Sequence, residues 1–174
     1  MIKKTKMVVM DFDGTLVSTP LPDTGKIIYQ EKTGKPWPFQ GWWGRELSLD
    51  MDIFDIPVIK SVIDAYNTEK ENTTTLMVML TGRRHILKDS VIKILDFHGL
   101  EFDEYHFNKG GATEVAKMKT IDDLLVKYSN ISEIDLFDDR LEHISIFEQF
   151  LKEKVKSGQL KKFKITVVPS DNHK

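Results

Sequence analysis

With 174 residues, 40% of them hydrophobic and 30% charged, the chain is long enough to close one hydrophobic core and has an ordinary globular composition. It contains no cysteine, which excludes a disulfide framework and thiolate chemistry, and a net charge of -2 excludes a uniformly basic nucleic-acid binder. The apolar start is cut by Asp11 too early for a signal-peptide core, and no run approaches the roughly 20 apolar residues that span a bilayer, so a cytoplasmic protein without a membrane partner is expected.

Met7 to Met10 is a short apolar run closed by Asp11, which predicts a buried strand of the kind found in parallel sheets. Asp11 to Thr15 is then a loop at the strand's carboxyl end, where Gly14 permits a tight turn and Thr15 offers a hydroxyl to lock it. Residues 17 to 50 read as irregular, rich in proline and glycine, with all three tryptophans and Phe39 among them. Pro57 reads as the first turn of a helix with Val58, Val62, Ile63 and Tyr66 on its apolar stripe. The stretch from Val17 to about Glu71 is too long for a bare loop, so a small cap or flap insert is expected there within a single domain of residues 1–174.

Leu76 to Leu80 predicts a second buried strand, ending at Thr81-Gly82-Arg83. A helix follows with Ile86, Leu87, Val91, Ile94 and Leu95 on one side, ended by Gly99. Glu101 to Phe107 reads as an exposed strand, and Thr113 as the cap of a helix running to about Tyr128. Ile134 to Phe137 is another strand, ending at Asp138-Asp139-Arg140. A helix through Ile144, Phe147, Phe150 and Leu151 breaks at Ser157-Gly158, and Phe163 to Val168 forms the last strand. The six lysines between Lys152 and Lys164 can meet a phosphate backbone or form a solvated helix end and turn. Strands alternating with helices predict an α/β, three-layer Rossmann-like fold with a mostly parallel central sheet.

In such a sheet, ligands bind outside the carboxyl ends of the strands. Three apolar runs stop there in Asp11-Phe12-Asp13, Thr81-Gly82-Arg83 and Asp138-Asp139-Arg140. A single aspartate pair is often only a turn former or helix cap; two pairs plus a hydroxyl and arginines at equivalent tips point to a site. Several carboxylates cannot share a small space as anions without a counter-charge, and Mg²⁺ prefers such hard oxygen ligands. A carboxylate can also attack phosphorus, and a second one two residues on can donate and recover a proton. Of Lys109, Lys117 and Lys119, helix phase favours Lys117, which shares a face with Ile121, Leu124 and Tyr128; a solvated surface lysine is the alternative.

Asp11-Phe12-Asp13-Gly14-Thr15-Leu16 matches the first motif of haloacid dehalogenase-type (HAD) phosphatases in full. Leu80-Thr81-Gly82-Arg83 resembles the second motif and Asp138-Asp139 the acidic fourth. The resemblance implies Asp11 as nucleophile, Asp13 as general acid and then base, Thr81 as a hydroxyl holding a phosphoryl oxygen, and Lys117 as the site lysine. It implies Mg²⁺ held by Asp11, Asp138 and the Asp13 carbonyl, with Asp139 reaching the metal through water or supporting the direct ligands from behind. The Thr81-Gly82-Arg83 and Phe137-Asp138-Asp139-Arg140 orders resemble 3'-phosphatase domains of polynucleotide kinase-phosphatases. The Trp42-Trp43 segment and the spacing of Arg140 and His143 resemble HAD domains associated with RNA repair, with His143 a possible support for Asp139 or the helix start.

Those resemblances imply a phosphorylated substrate, an RNA or DNA 3' end. Gly82, Arg83, Arg84 and Arg140 would then meet its phosphates, and Trp42 or Trp43 would stack on a terminal base. The alternatives are that the tryptophans form the flap's own core and that Arg140 pairs with a neighbouring acid. A small-molecule phosphatase and a non-catalytic binding protein are the competing functions. No G-x-x-x-x-G-K-[ST] phosphate loop is present, so no ATP site is expected in these residues, and the chain would act alone or with a separately encoded kinase or ligase.

Overall fold

The computed structural model describes residues 2–169. Five strands, β1 (Lys6–Met10), β2 (Thr75–Arg84), β3 (Glu104–Asn108), β4 (Glu133–Asp138) and β5 (Lys162–Val167), form one sheet in the order β3-β2-β1-β4-β5. All four pairings are parallel. The strand before the central turn, β1, lies between β2 and β4, so the chain reverses its direction of growth beside it. That reversal opens a crevice at the carboxyl ends of β1 and β4.

Five helices accompany the sheet: α1 (Pro22–Thr33), which belongs to the insert, and α2 (Lys60–Lys70), α3 (Lys88–Phe97), α4 (Thr113–Lys127) and α5 (Leu141–Lys156), which cover its faces. The apolar runs of β1 and β2 are buried on both faces, which is why they read as continuous rather than alternating. On one face Met7, Val9, Val78 and Ile134 pack with Ile121 and Leu124 of α4 and Phe147 and Leu151 of α5. On the other, Val8, Met10, Met77 and Met79 pack with Val62 and Tyr66 of α2 and Val91, Ile94 and Leu95 of α3. Two separate cores on one sheet make the three layers. Among the described residues, no helix is long and apolar enough to cross a membrane.

The insert differs from its sequence reading. Residues 22–33 are helical, because Pro22 fits the first turn, Asp23 complements the helix dipole there, and Gly34 closes the end at φ 73° with its N–H on the Gln30 carbonyl. Gly25 hides this helix from a periodicity search, yet it is required: a Cβ there would lie 2.1 Å from the Trp42 ring. The helix after Pro57 begins three residues late, at Lys60. Backbone groups around Pro57 are already committed, with Ser18 N–H donating to Pro57 O at 2.8 Å and Ile59 N–H to Leu16 O at 3.0 Å. That helix, α2, packs on β2 and belongs to the sandwich, so the part of the 17–71 stretch standing over the site is its earlier portion.

Smaller corrections share a cause in local geometry. His85–Leu87 form a 3₁₀ turn ahead of α3, which throws Ile86 out of the apolar stripe to 84% exposure. Thr113 is the first residue of α4 rather than its cap; Ala112 holds that place and no side chain caps the helix. The Thr15 hydroxyl is buried and bonds no described residue, so Gly14 at φ 70° makes the turn without it. The lysine-rich stretch sits where α5 ends and β5 begins, the sheet edge opposite the aspartate tips. Lys152 pairs there with Glu148, Lys154 with Asp122 and Lys162 with Glu133, the behaviour of a solvated surface.

Candidate active site

The sheet register brings the acidic tips together. Met10 pairs with Phe137 and Met79, and the Asp11 N–H donates to Phe137 O at 3.1 Å, so Asp11 and Asp138 emerge side by side. Asp11, Asp138 and Asp139 are all buried, and each offers one carboxylate oxygen within 4.8 Å of the others. From α4, Lys117 reaches in with its Nζ 2.7 Å from Asp138 Oδ2 and 3.1 Å from Asp11 Oδ1. This is the lysine that helix phase and the family resemblance favour; Lys119 instead pairs with Asp123 on the solvent side at 2.9 Å, and exposed Lys109 lies in the turn before α4.

Burial pushes the Asp11 carboxyl well above the usual range; Lys117 opposes this, while Asp138, Asp139 and Asp13 add to it. Burial also lowers the Lys117 ammonium, but Asp11 and Asp138 outweigh it and hold the lysine charged. Three buried carboxylates against one ammonium leave a deficit of positive charge. An all-oxygen donor set of this size fits a small hard dication such as Mg²⁺.

Asp13 faces a different environment. Arg83 grips it with Nε on Oδ2 at 2.9 Å and Nη2 on Oδ1 at 2.8 Å, and the Thr19 hydroxyl donates to Oδ1 at 2.7 Å. Burial pushes this carboxyl up, but Arg83 and Thr19 outweigh it and hold it below its ordinary value. Its carboxylate lies outside the three-aspartate cluster. Arg83 is therefore not the open phosphate binder of the sequence reading: its Nη1 also donates to Trp43 O at 2.6 Å and to Ser48 Oγ at 3.0 Å, which fastens the insert to Asp13. Neither Thr19 nor Ser48 carried a signal in the sequence, because both contacts depend on how the insert folds back.

Thr81 is buried, and its Oγ accepts the Arg83 N–H at 3.0 Å, leaving its own proton available. Gly82 lets β2 approach α4, since a Cβ there would lie 2.7 Å from Thr113 Cγ2. The site opens into a cavity of about 540 Å³ whose walls include Asp11, Asp13, Trp43, Arg84, Lys117 and Arg140. Arg140 is exposed and pairs with Glu142 through Nε and Nη2, both at 3.0 Å, as the neighbouring-acid alternative expected. The two tryptophans part company. Trp42 is 4% exposed, donates its Nε1–H to Pro20 O at 3.1 Å, and packs on Trp37 and Phe54, so it is insert core and not a base-stacking surface. Trp43 is 41% exposed on the cavity wall with the Arg83 guanidinium 5.0 Å from its ring centroid. His143 Nε2 lies 3.4 Å from Glu114 Oε2 across the starts of α5 and α4, and its buried Nδ1 has no partner.

A parallel sheet of this order, with an aspartate cluster and a lysine at the carboxyl ends of β1 and β4, defines a HAD-superfamily hydrolase. Residues 40–174 match the family described as HAD domain family 1 in Swiss Army Knife RNA repair proteins, and the chain belongs to that family. It is 26% identical to the uncharacterized protein YMR265C of Saccharomyces cerevisiae over 84% of this chain, and spans only 37% of the yeast protein. Among solved structures it resembles a chain of the Pnkp1/Rnl/Hen1 complex (TM-score 0.58, 14% identity, 95% of this chain and 46% of that one). It also resembles the HAD-like protein SP0104 from Streptococcus pneumoniae (TM-score 0.52, 12% identity, 93% of both chains). The HAD domain of effector protein Lem4 from Legionella pneumophila is similar as well (TM-score 0.51, 10% identity, 97% of this chain and 88% of that one). At these identities the structural likenesses establish the fold.

Proposed function

We propose that this protein is a divalent-metal-dependent phosphomonoester hydrolase that works through an aspartyl-phosphate on Asp11 and releases a 3'-terminal phosphate from nucleic-acid ends. The observation that carries the reaction is Asp11 itself: a buried carboxylate beside Asp138, Asp139 and Lys117 at the floor of an open cavity. Mg²⁺ held by Asp11, Asp138, Asp139 and the Asp13 carbonyl would supply positive charge for the phosphoryl oxygens. An Asp11 oxygen attacks phosphorus, the ester P–O bond breaks, and the leaving oxygen takes a proton from Asp13. A water then attacks the phosphorus, Asp13 takes its proton, and phosphate leaves with Asp11 restored. The Thr81 proton and the Lys117 ammonium hold phosphoryl oxygens meanwhile.

The Arg83 contacts favour the Asp13 anion, the form needed to activate water. An arriving phosphate dianion works against Arg83 and moves Asp13 back toward the acid needed first. The substrate class is supported by the RNA-repair family, by the likeness to a chain of the Pnkp1/Rnl/Hen1 complex, and by an open mouth with Trp43 and arginines on it.

Asp11→Asn should lower turnover of an aryl phosphate by on the order of a thousandfold or more with the fold intact, and chelation of divalent metal should do likewise. Near-normal activity of that variant would remove the mechanism. Comparing kcat/KM for a 3'-phosphorylated oligonucleotide, its 5'-phosphorylated counterpart, a 3'-mononucleotide and several sugar phosphates tests the substrate. No advantage for the 3'-phosphorylated oligonucleotide would put a small-molecule phosphatase in its place.

A further inference from the structure

We infer that Arg84 is the residue that recognises the phosphate flanking the reacting one, and that this recognition extends to one phosphate only. The inference rests on the polynucleotide-end reading above. Three arginines stand near the cavity, and two are engaged. Arg83 is spent on Asp13, Trp43 O and Ser48, with its side chain 2% exposed, and Arg140 is paired with Glu142. Arg84 is exposed and lines the cavity, and its side chain makes no hydrogen bond or ion pair with any described residue.

Its placement has a backbone cause. The pairing of β2 with β3 is regular to Leu80–His106 and then shifts, resuming at Arg84–Asn108. Beyond that irregularity Arg83 turns inward under the insert and Arg84 outward to the rim. A guanidinium held by the end of a strand, with its donors unspent, suits bidentate capture of a phosphodiester. Trp43, on the same cavity wall, offers the ring for the adjoining base.

The limit to one phosphate follows from the next cavity. A second hollow of about 660 Å³ meets the first at Gly44 and runs between the insert and the start of α3. Its charged lining is Glu46, Asp50, Asp52 and Asp89 against Arg45 and Lys93, and the Arg45 guanidinium is drawn onto the Phe39 ring at 4.5 Å. A strand continuing along it meets excess negative charge, which disfavours further phosphates.

The test is a length series: a nucleoside 3'-monophosphate, a dinucleotide with a 3'-terminal phosphate, and the tri- to hexanucleotides. The wild type should gain about tenfold in kcat/KM at the dinucleotide, through KM, and little with each further nucleotide. The advantage of the dinucleotide over the mononucleotide should shrink as salt rises, and the slope of that ratio against log salt reports the one added phosphate contact. Arg84→Ala should erase both the step and the slope, Arg84→Lys should keep part of each, and Lys161→Ala at the far sheet edge should change neither. A step of wild-type size in Arg84→Ala, with its melting temperature unchanged, overturns the assignment, and a gain that grows with every nucleotide overturns the limit. A wild type that turns over aryl phosphate but is flat across the whole series instead removes the polynucleotide reading beneath it.

Discussion

Asp11 and Asp13 stand two residues apart and are driven in opposite directions. Asp11, raised chiefly by burial, keeps its proton to higher pH in the folded chain than in the unfolded one. Metal-free stability should therefore fall as pH rises from the ordinary carboxylate value of 3.8 through the raised one. Asp11→Asn should remove that slope and raise stability at neutral pH, measured by urea melts in chelator; an unchanged slope would mean that Asp11 is not the group under strain. Asp13, by contrast, is held low because Arg83 and Thr19 outweigh burial. Arg83→Met leaves burial in control, so the Asp13 pKa rises and the alkaline fall of kcat/KM should move to higher pH. If the two pH–rate profiles superimpose, Arg83 does not set the acidity of the proton donor.

At the scale of elements, the insert is built on a small aromatic core. Trp37 lies between Tyr29 and Trp42 at centroid distances of 5.2 and 4.6 Å, and Trp42 reaches Phe54 at 5.5 Å. Trp42→Ala should cost about 3–5 kcal/mol in denaturant melts, the usual range for a buried aromatic, whereas exposed Trp43→Ala should cost within about 0.5–1 kcal/mol. Comparable losses for the two would contradict their division into packing and cavity residues. Gly25 sets two effects against each other. Alanine is better than glycine inside a helix by about 1 kcal/mol. A methyl placed 2.1 Å from a buried ring should reverse the sign, with a net loss of about 1–3 kcal/mol for Gly25→Ala. A more stable variant would mean that α1 slides freely on Trp42. Fastened through Arg83 to Asp13, the insert links its own seating to the site.

For the whole molecule, the strand order decides where charge gathers. Parallel strands put every carboxyl end on one side, and the reversal beside β1 sets Asp11 against Asp138. Like charge collects at that edge, and a cation there should stabilise the entire domain. Mg²⁺ at 100 times its Kd should add about 2.7 kcal/mol to unfolding. Asp138→Asn should weaken that gain, followed as the Mg²⁺ dependence of the melting temperature; an equal gain in the variant would place the metal elsewhere. The lysines at the opposite edge are paired with acids there and lie outside the cavity lining, so the positive charge that meets an anionic ligand has to come from the metal, Lys117 and the arginines at the site itself.

The sequence by itself determined the sheet and the residues that close its strands. The apolar runs ending in Asp11 and Thr81 are local signals, because burial on both faces demands them; β4 alternates buried and half-buried residues up to Asp138, and strand polarity fixes where all three end. Lys117 was legible from helix phase for a similar reason: one turn of α4 faces the sheet whatever else happens. Tertiary structure alone decided the rest. α1 was hidden by Gly25, whose reason is a ring far along the chain. The roles of Arg83 and Arg84, neighbours of one chemistry, separated only in the folded chain: strand alternation sends them to opposite sides, and the fold-back of the insert decides that Arg83's side is the buried one. Trp42 and Trp43 separated likewise, since adjacent residues in an irregular segment have no period from which to tell core from surface.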